Sequence, residues 1–331
     1  MPMTMLPDDG GMPTRWLEGC MLLLAFVMLL SADSSEELAH VVALRRAVEA
    51  AVDGSVVEVP PLRHVLEAPP HWALGAAQRW ALASLLHRKP ARGALRLERG
   101  VTLRAAAPGA AIEACAGCEF AAVSVAQGAT VRLEGLRLAA ARRGAARASL
   151  AAVWNEGRAV LSRCAVVGMI ATVAVVDEYD AGRRRLMRRW QNASTVVLDT
   201  AVSGSRAEGV VVDGGQLLMR NSAVSGCADC GVCVLSGGSA ALHSTSIASN
   251  GGDGLLVADA SSVCRVESVT ITRNGGAGVY SGSNAVTGGR VIVGGKCSVA
   301  GNVEGQWVSS KTGGSISWRD PKDAKPASSG Y

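Results

Sequence analysis

Aromatic residues are scarce in this sequence, although other hydrophobic residues are abundant. The 331 residues include 7 Trp, 3 Tyr and 2 Phe, while hydrophobic residues make up 49% of the chain. This hydrophobic content is ample for a core. Because large rings are few, the core must be built from Ala, Val, Leu and Gly side chains.

A long basic stripe with interleaved aromatic residues is also missing. The net charge is +5 and arises from clusters of arginine. Because nucleic-acid binding depends on such a stripe to contact phosphates, we exclude nucleic acid as a partner. The charge indicates only mild affinity for acidic partners.

The sequence also lacks a hydrophobic run of comfortable membrane-spanning length. The apolar run from Gly19 to Leu30 has 12 residues, whereas a spanning helix needs about 20. Followed by Ser31-Ala32-Asp33, this run is typical of a secretory signal. We therefore expect residues 1–33 to be a leader and the protein to be secreted or extracellular. The alternative is an uncleaved leader that anchors the chain to a membrane through residues 19–30.

What the sequence does contain is an internal repeat between residues 194 and 284. Four segments each carry a central apolar residue, and each has a glycine seven residues later. The glycines Gly209, Gly231, Gly254 and Gly278 follow one another at spacings of 22, 23 and 24 residues. The central residues are Val202, Val224, Ile247 and Ile271. A fixed period of this length indicates a stacked repeat architecture.

The apolar runs inside each repeat are too short for helices. They last three to five residues, alternate in polarity and end at Gly, Ser, Asn or Asp, as strands do. One repeat alone cannot bury its inner face. Stacked coils can, because each strand then pairs in parallel with its copy about 4.8 Å away. Counting backwards places Val166 and Leu138 in the same column as Val202.

These segments resemble the coils of right-handed parallel β-helix proteins of the pectin-lyase-like family. The turns Asn250-Gly-Gly-Asp-Gly254 and Asn274-Gly-Gly-Ala-Gly278 are similar to the asparagine-rich corner of that family. The resemblance covers residues 36–308. It implies an all-β fold, a right-handed parallel β-helix solenoid with an N-terminal capping helix. It does not imply one function, because this fold carries lyases, hydrolases, epimerases, adhesins and interaction modules.

The predicted domain organisation follows from the repeat and its interruptions. A helix that begins after Ser34 and ends at Gly54 is similar to the cap that plugs the open end of such solenoids. The β-helix domain is expected at residues 34–308, with insertions at about 69–94 and 178–192. Residues 309–331 are expected to form a flexible tail.

The insertion at 178–192 is rich in arginine. Arg183, Arg184 and Arg185 lie near its start, and loops inserted on one face of a repeat array often shape its binding surface. We therefore predict that these arginines bind a substrate or partner. The insertion ends in a possible N-glycosylation sequon at Asn192.

Two carboxylates near this insertion are the candidate catalytic residues. Asp177 follows Val166 by eleven residues, and Asp213 follows Val202 by eleven. Equal spacing predicts that the two carboxylates are neighbours on one ladder. They would form an acid/base pair, a cation site or an ordinary solvated pair. Enzymes of the resembling family act on uronic-acid polymers with carboxylates, arginine or calcium, yet their Gly-His-Gly, Asn-Thr-Asp and Asp-Pro-His-Asp motifs are absent here.

Cysteine and histidine give weaker signals. Cys227, Cys230 and Cys233 have metal-ligand spacing, but the repeat places the first two in a turn and the third outward on a strand. We predict no metal site and leave open a local disulfide across the turn. His243 is predicted to be a solvated strand residue between Arg220 and Glu267.

The third strand of each repeat presents an outward column of unusual character. Its members are Val211, Cys233, Leu256 and Tyr280. Apolar side chains stacked outside a rod indicate either a binding face or a surface covered by the chain's own segments.

Three functions are compatible with these features. The first is a non-catalytic protein that binds glycans or proteins along its long face, without a cofactor. The second is a carbohydrate-active enzyme, a lyase or epimerase acting on an acidic polysaccharide, for which calcium is a possible cofactor. The third is a coat or adhesin that assembles through the outward column. Membrane contact is expected only through an uncleaved leader.

Overall fold

The computed structural model describes residues 40–66, 93–114, 121–140, 151–180, 185–190, 192–282, 288–310 and 313–319. The predicted leader at 1–33, with its apolar run 19–30, lies outside the described residues, as does most of the insertion predicted at 69–94. No helix in the described part of the chain is long and apolar enough to cross a membrane.

The chain coils through three parallel sheets, A, B and C, and visits them in that order in each coil. Strands of one sheet therefore pair with the equivalent strands of the coils before and after. Numbered along the chain, the strands of sheet A are β1 (Ser55–Val59), β4 (Val101–Ala105), β7 (Thr130–Glu134), β10 (Arg158–Ser162), β15 (Ser194–Leu198), β18 (Gln216–Arg220), β21 (Ser239–His243), β24 (Val263–Glu267), β27 (Arg290–Gly294) and β30 (Ser315–Trp318).

Sheets B and C complete each coil. The strands of sheet B are β2 (Arg63–Leu66), β5 (Ala111–Ala114), β8 (Arg137–Ala139), β11 (Ala165–Val167), β16 (Ala201–Ser203), β19 (Ala223–Ser225), β22 (Ser246–Ala248), β25 (Thr270–Thr272) and β28 (Ser298–Ala300). Those of sheet C are β3 (Gly93–Leu97), β6 (Ala121–Val125), β9 (Ala151–Asn155), β12 (Met169–Val173), β17 (Val210–Asp213), β20 (Val232–Leu235), β23 (Leu255–Val257), β26 (Val279–Ser281) and β29 (Trp307–Ser309).

The predicted apolar column of the repeat forms one continuous interior file in sheet B. Its register runs from Leu138 to Ile271 without a break, and every member is at most 1% exposed. Burial of each such side chain stabilises the fold by about 1.5–3 kcal/mol. The members are Leu138, Val166, Val202, Val224, Ile247 and Ile271. The prediction is confirmed.

The bend from sheet A to sheet B is short and repeats from coil to coil. In the six coils from β7 to β24 it contains two residues. The first has a left-handed backbone, as at Asp199 (φ 48°) and Asn221 (φ 48°). In three of these bends the second residue has a hydroxyl that donates to the carbonyl two residues earlier, as in the 2.7 Å bond from Thr200 Oγ1 to Leu198 O. These bonds satisfy polar groups of the bend within the bend itself.

The corner from sheet B to sheet C carries a ladder of buried asparagines. Asn250 donates from Nδ2 to Asn274 Oδ1 at 3.0 Å, and Asn274 donates from Nδ2 to Asn302 Oδ1 at 2.9 Å. The backbone N–H of Cys227 joins the ladder by donating to Asn250 Oδ1. The asparagine-rich corner predicted from the two Asn-Gly-Gly turns is confirmed.

A helix closes the N-terminal end, as predicted. Residues 40–50 are helical and are called α1. Val41 and Leu44 on this helix are 6% and 4% exposed and belong to the same apolar core as Val57 and Val59 of β1. This packing covers the interior of the first coil.

His64, buried beneath this cap, makes the stability of the chain dependent on pH. Burial lowers the pKa of His64 below its usual 6.5; the Pro60 carbonyl opposes this shift and His40 adds to it. The unfolded chain therefore binds the proton first as pH falls. We expect stability to be fully present above pH 6.5 and to fall below it by up to about 1.4 kcal/mol per pH unit. Urea midpoints at pH 7.5 and 5.5 measure this loss.

Two variants make the pH experiment specific. His64→Leu should abolish most of the loss between the two pH values, while His243→Gln, which changes a half-exposed histidine, should leave it in place. An unchanged pH dependence in His64→Leu would show that the cap histidine is not its source.

The regular coils extend further towards the C-terminus than the sequence indicated. β30 pairs in parallel with β27, although it lies inside the segment 309–331 that was expected to be a flexible tail. The reason is strand alternation: Ile316 and Trp318 pack against the core, and the ring of Trp318 lies edge-on to Trp307 at 4.9 Å. The alternation of apolar and polar residues was not recognised in the sequence because this stretch is rich in Gly, Ser and Lys.

The arginine-rich insertion is an antiparallel hairpin outside the three sheets. Its strands are β13 (Val175–Asp180) and β14 (Arg185–Trp190), which pair with each other and with no other strand of the described chain. The hairpin leaves sheet C directly after Val173 and Ala174, so it starts a few residues before the predicted boundary at 178.

Candidate functional site

The outward column predicted on the third strand is present on sheet C and is one residue longer than predicted. Successive members are partners in the parallel register, so one side chain stands in each coil. Neighbouring members are separated by the strand spacing of about 4.8 Å. This outer column consists of Val211, Cys233, Leu256, Tyr280 and Val308.

The outer column is only partly open to solvent. Val211, Leu256 and Tyr280 are half-buried, whereas Cys233 is 6% exposed. Towards the N-terminus the column meets a second apolar cluster on the outside of sheet C, in which Ala171 and Met169 are buried and Val211 is partly buried. The outer apolar surface is thus mostly buried in the earlier coils and partly accessible at Val211, Leu256 and Tyr280.

Carboxylates flank the outer column on both sides. Asp213 stands at the end of β17, while the other three precede the first residues of β17, β20 and β23 at the corner from sheet B. Burial, together with the charges of the four carboxylates, raises the pKa of the Cys233 thiol to about 12. We call these carboxylates the acidic rim: Glu208, Asp213, Asp229 and Asp253.

The predicted Asp177–Asp213 pair does not form. Asp213 lies beside Val173 in the register of sheet C, and Asp177 lies opposite Arg188 in the antiparallel hairpin. The expectation that the two carboxylates share a ladder is wrong. One oxygen of Asp213, Oδ1, is buried and has no hydrogen-bond partner among the described residues.

The error arises from one unusually short corner. β11 and β12 are separated by Gly168 alone, whereas six residues, 204–209, separate β16 from β17 in the next coil. Eleven residues after Val202, Asp213 lies at the end of sheet C strand β17. Eleven residues after Val166, the chain has already left sheet C, and Asp177 lies in the hairpin.

Of the predicted substrate-binding arginines, Arg185 begins β14 and lies opposite Asp180, while Arg183 and Arg184 fall outside the described residues. Their proposed role in binding remains a prediction.

Histidine and cysteine occupy structural positions. His243 is on the outer face of sheet A between Arg220 and Glu267, with Nδ1 3.3 Å from Glu267 Oε2 and its side chain 32% exposed. This confirms the prediction for His243. Cys227, Cys230 and Cys233 are free thiols, so a disulfide across this turn is not formed.

Sequence reasoning missed the acidic rim. Glu208 and Asp253 directly precede the repeat glycines Gly209 and Gly254, and this shared position was the available signal. Among the described residues, no group of three or more His, Cys, Asp and Glu side chains is arranged to hold a metal ion.

The family of the chain follows from its repeat. A family model for the right-handed β-helix region matches residues 152–317, which is half of the chain. The chain therefore belongs to the right-handed β-helix family. Together with the three parallel sheets, this confirms the predicted fold class.

Several solved structures have a similar backbone. The periplasmic alginate epimerase AlgG matches with a TM-score of 0.45 at 13% identity, over 81% of this chain and 60% of AlgG. The A-module of the Azotobacter vinelandii mannuronan C-5 epimerase AlgE4 gives a TM-score of 0.39 at 12% identity, over 84% and 91%. Pectate lyase Pel9A gives 0.36 at 13% identity, over 85% and 82%.

Such similarities concern the path of the backbone and not the chemistry of a site. The chain spans about 60% of the length of the AlgG structure. Comparison with curated proteins finds no matching sequence.

Proposed function

We propose that this chain is a non-catalytic binding protein that holds an elongated partner, a glycan or a protein, along the outer face of sheet C. The outer column is the observation that carries this proposal. It places one apolar or aromatic side chain in every coil from Val211 to Val308.

A partner laid along the rod would bury this surface. Removing apolar surface from water stabilises a complex by about 25 cal/mol per Å², and Tyr280 adds a hydroxyl that can hydrogen-bond at the wet edge of the contact. A solvated face of a solenoid has no such need for stacked apolar side chains. The exposed part of the Val211, Leu256 and Tyr280 side chains therefore supports a partner that covers them.

The enzyme alternative loses its principal support. It depended on Asp177 and Asp213 as ladder neighbours, and they are not neighbours in the register. Asp213 stays in the proposal as a contact for the partner. Arg183, Arg184 and Arg185 are proposed to contact a partner too, because their hairpin leaves sheet C beside the first coil of the outer column.

We also propose that binding takes place outside the cell. The support is the sequence of residues 1–33, in which an apolar run is followed by small residues as in a secretory signal.

A charge placed in the outer column tests the proposed function. Leu256→Asp should weaken partner binding by on the order of tenfold or more, because it buries an unpaired carboxylate in the contact. Glycan partners are measured on arrays of neutral, anionic and cationic oligosaccharides, and self-association is measured by sedimentation. Turnover of pectate and alginate, with and without calcium, is followed by reducing-end and unsaturated-uronate assays, and none is expected.

The matched control is Leu218→Asp. Leu218 is a half-buried leucine that faces outward from β18 on sheet A. The variant therefore makes the same leucine-to-aspartate change on a different face. Equal loss of binding in both variants, or turnover of a polysaccharide by the unmodified chain, would refute the proposed function.

A further inference from the structure

The charges around the outer column restrict what can dock there. Within the described residues, none of the four carboxylates of the acidic rim forms an ion pair. The hydrogen bonds that two of them accept come from neutral groups: Asp253 Oδ1 from the backbone N–H of Ala277 at 2.7 Å, and Asp229 Oδ1 from Cys230 Sγ at 3.4 Å. The buried Oδ1 of Asp213 has no hydrogen-bond partner among the described residues.

Other carboxylates of the rod are neutralised by the chain itself. Glu113, on the outer face of sheet B, lies 2.6 Å from Arg63 and 4.0 Å from Arg137. Glu134, on sheet A, lies 2.8 Å from Arg104 and 3.5 Å from Arg132. The acidic rim lacks this arrangement and so leaves its negative charge available to a ligand.

The rim carboxylates also repel one another. Burial raises the pKa of Asp253, and the nearby charges of Glu304 and Asp229 raise it further. A polyanion such as a uronic-acid polymer would add to this repulsion. A cationic partner would relieve it, and apolar residues between its cations would cover the outer column.

We propose that this partner is β14 of a second copy of the chain, docked on the outer column between the carboxylates of the acidic rim. Its sequence, Arg185-Leu-Met-Arg-Arg-Trp190, contains three cations and three large apolar residues. This composition matches both the charge and the hydrophobic character of the face. The inference rests on the proposed function and names the partner for the same site.

The rim carboxylates are not neutralised within their own copy. The hairpin leaves sheet C next to Val173, whose neighbour in the register is Asp213, yet among the described residues the rim carboxylates form no ion pair. β14 pairs with β13 along one edge only among the described strands. The hairpin and the face are different surfaces, so the contact between copies propagates head-to-tail, and each end of such an assembly retains one free hairpin or one free face.

Sedimentation of the full chain over a range of concentrations tests the inference. We expect self-association that weakens as salt is raised from about 0.1 M to about 1 M, which shortens the Debye length from about 10 Å to about 3 Å. A synthetic peptide of residues 183–192 should compete and return the chain to monomer without any substitution. A chain that is monomeric at all concentrations, or association that the peptide leaves intact, overturns the inference.

Two pairs of charge substitutions make the test directional. The face variant is Glu208→Lys with Asp229→Lys, and the hairpin variant is Arg188→Gln with Arg189→Gln, whose neutral side chains do not attract the lysines of the altered face. Each alone should raise the dissociation constant by on the order of tenfold or more. Mixed together they should form a 1:1 dimer that grows no further, because one intact hairpin then meets one intact face. Failure of the mixture to associate, with both variants folded by circular dichroism, overturns the head-to-tail contact.

A control on another face separates this contact from a general effect of charge. Arg220→Glu with Arg265→Glu reverses two exposed charges on the outer face of sheet A and should leave association unchanged. If the chain stays monomeric but binds an oligosaccharide in a Leu256-dependent manner, this inference fails and the proposed function stands. If Leu256→Asp changes neither association nor glycan binding, both fail.

Discussion

Gly254→Ala is expected to destabilise the chain by about 3 kcal/mol or more, at the upper end of the cost of overpacking. A Cβ at Gly254 would collide with Cγ2 of Ile271 and would lie 2.6 Å from Gly278 O and 2.8 Å from Asn274 Nδ2, all in the following coil. Two of these neighbours are held in place by the ladder, so the whole coil must move. That movement would weaken the bonds from Gly254 N to Ala277 O and from Leu255 N to Gly278 O.

The control for this substitution is Gly226→Ala. Gly226 has a left-handed backbone (φ 64°) but no heavy atom within 4 Å of an added Cβ, so its cost should be the backbone term of about 1–2 kcal/mol. Urea denaturation followed by circular dichroism compares the two. If Gly254→Ala costs no more than Gly226→Ala, close stacking of the coils at this corner is not what requires glycine.

Asn274→Ala should cost a comparable amount, about 3 kcal/mol or more, because it interrupts the asparagine ladder in the middle. Asn274 Oδ1 accepts from both the backbone N–H and Nδ2 of Asn250, and its own Nδ2 donates to Asn302. Alanine leaves those donors of Asn250 unsatisfied in a buried site, and each such group costs about 1–3 kcal/mol.

Thermal and urea unfolding of Asn274→Ala measure this loss, with Asn192→Ala as the control. Asn192 is exposed and precedes β15, so its replacement should change stability by less than about 0.5 kcal/mol. Asn274→Asp should cost at least as much as Asn274→Ala, because it keeps the acceptor for Asn250 but places a buried carboxylate oxygen against the acceptor Asn302 Oδ1. Equal stability of Asn274→Ala and Asn192→Ala would contradict a structural role for the ladder.

The repeat made the fold predictable to the level of individual columns. Val202 and Ile271 could be placed in one interior file because the spacing between glycines is nearly constant from residue 209 to 278. Strand alternation then placed Val211 and Tyr280 on the outside. Both inferences depend on coils of equal length, and they are correct wherever that condition holds.

The candidate site was less predictable because it joins residues from corners of unequal length. Asp177 was assigned to the wrong ladder where a single glycine replaces a six-residue corner. The acidic rim combines Asp213 from one edge of sheet C with Glu208, Asp229 and Asp253 from the other. Their proximity emerges only once the register of the coils is known. The strand at Ser315–Trp318 was missed because glycine, serine and lysine outweighed two inward apolar residues.

The two-residue bend between sheets A and B also limits how such a rod can diversify. Since that bend is constant from β7 to β24, changes in coil length there are confined to the two edges of sheet C, where corners range from the single Gly168 to the twenty residues between β12 and β15. New loops can therefore be grafted beside sheet C without altering the pitch of the winding. In this architecture one side of the rod is free to acquire new recognition loops while the other two keep the scaffold rigid.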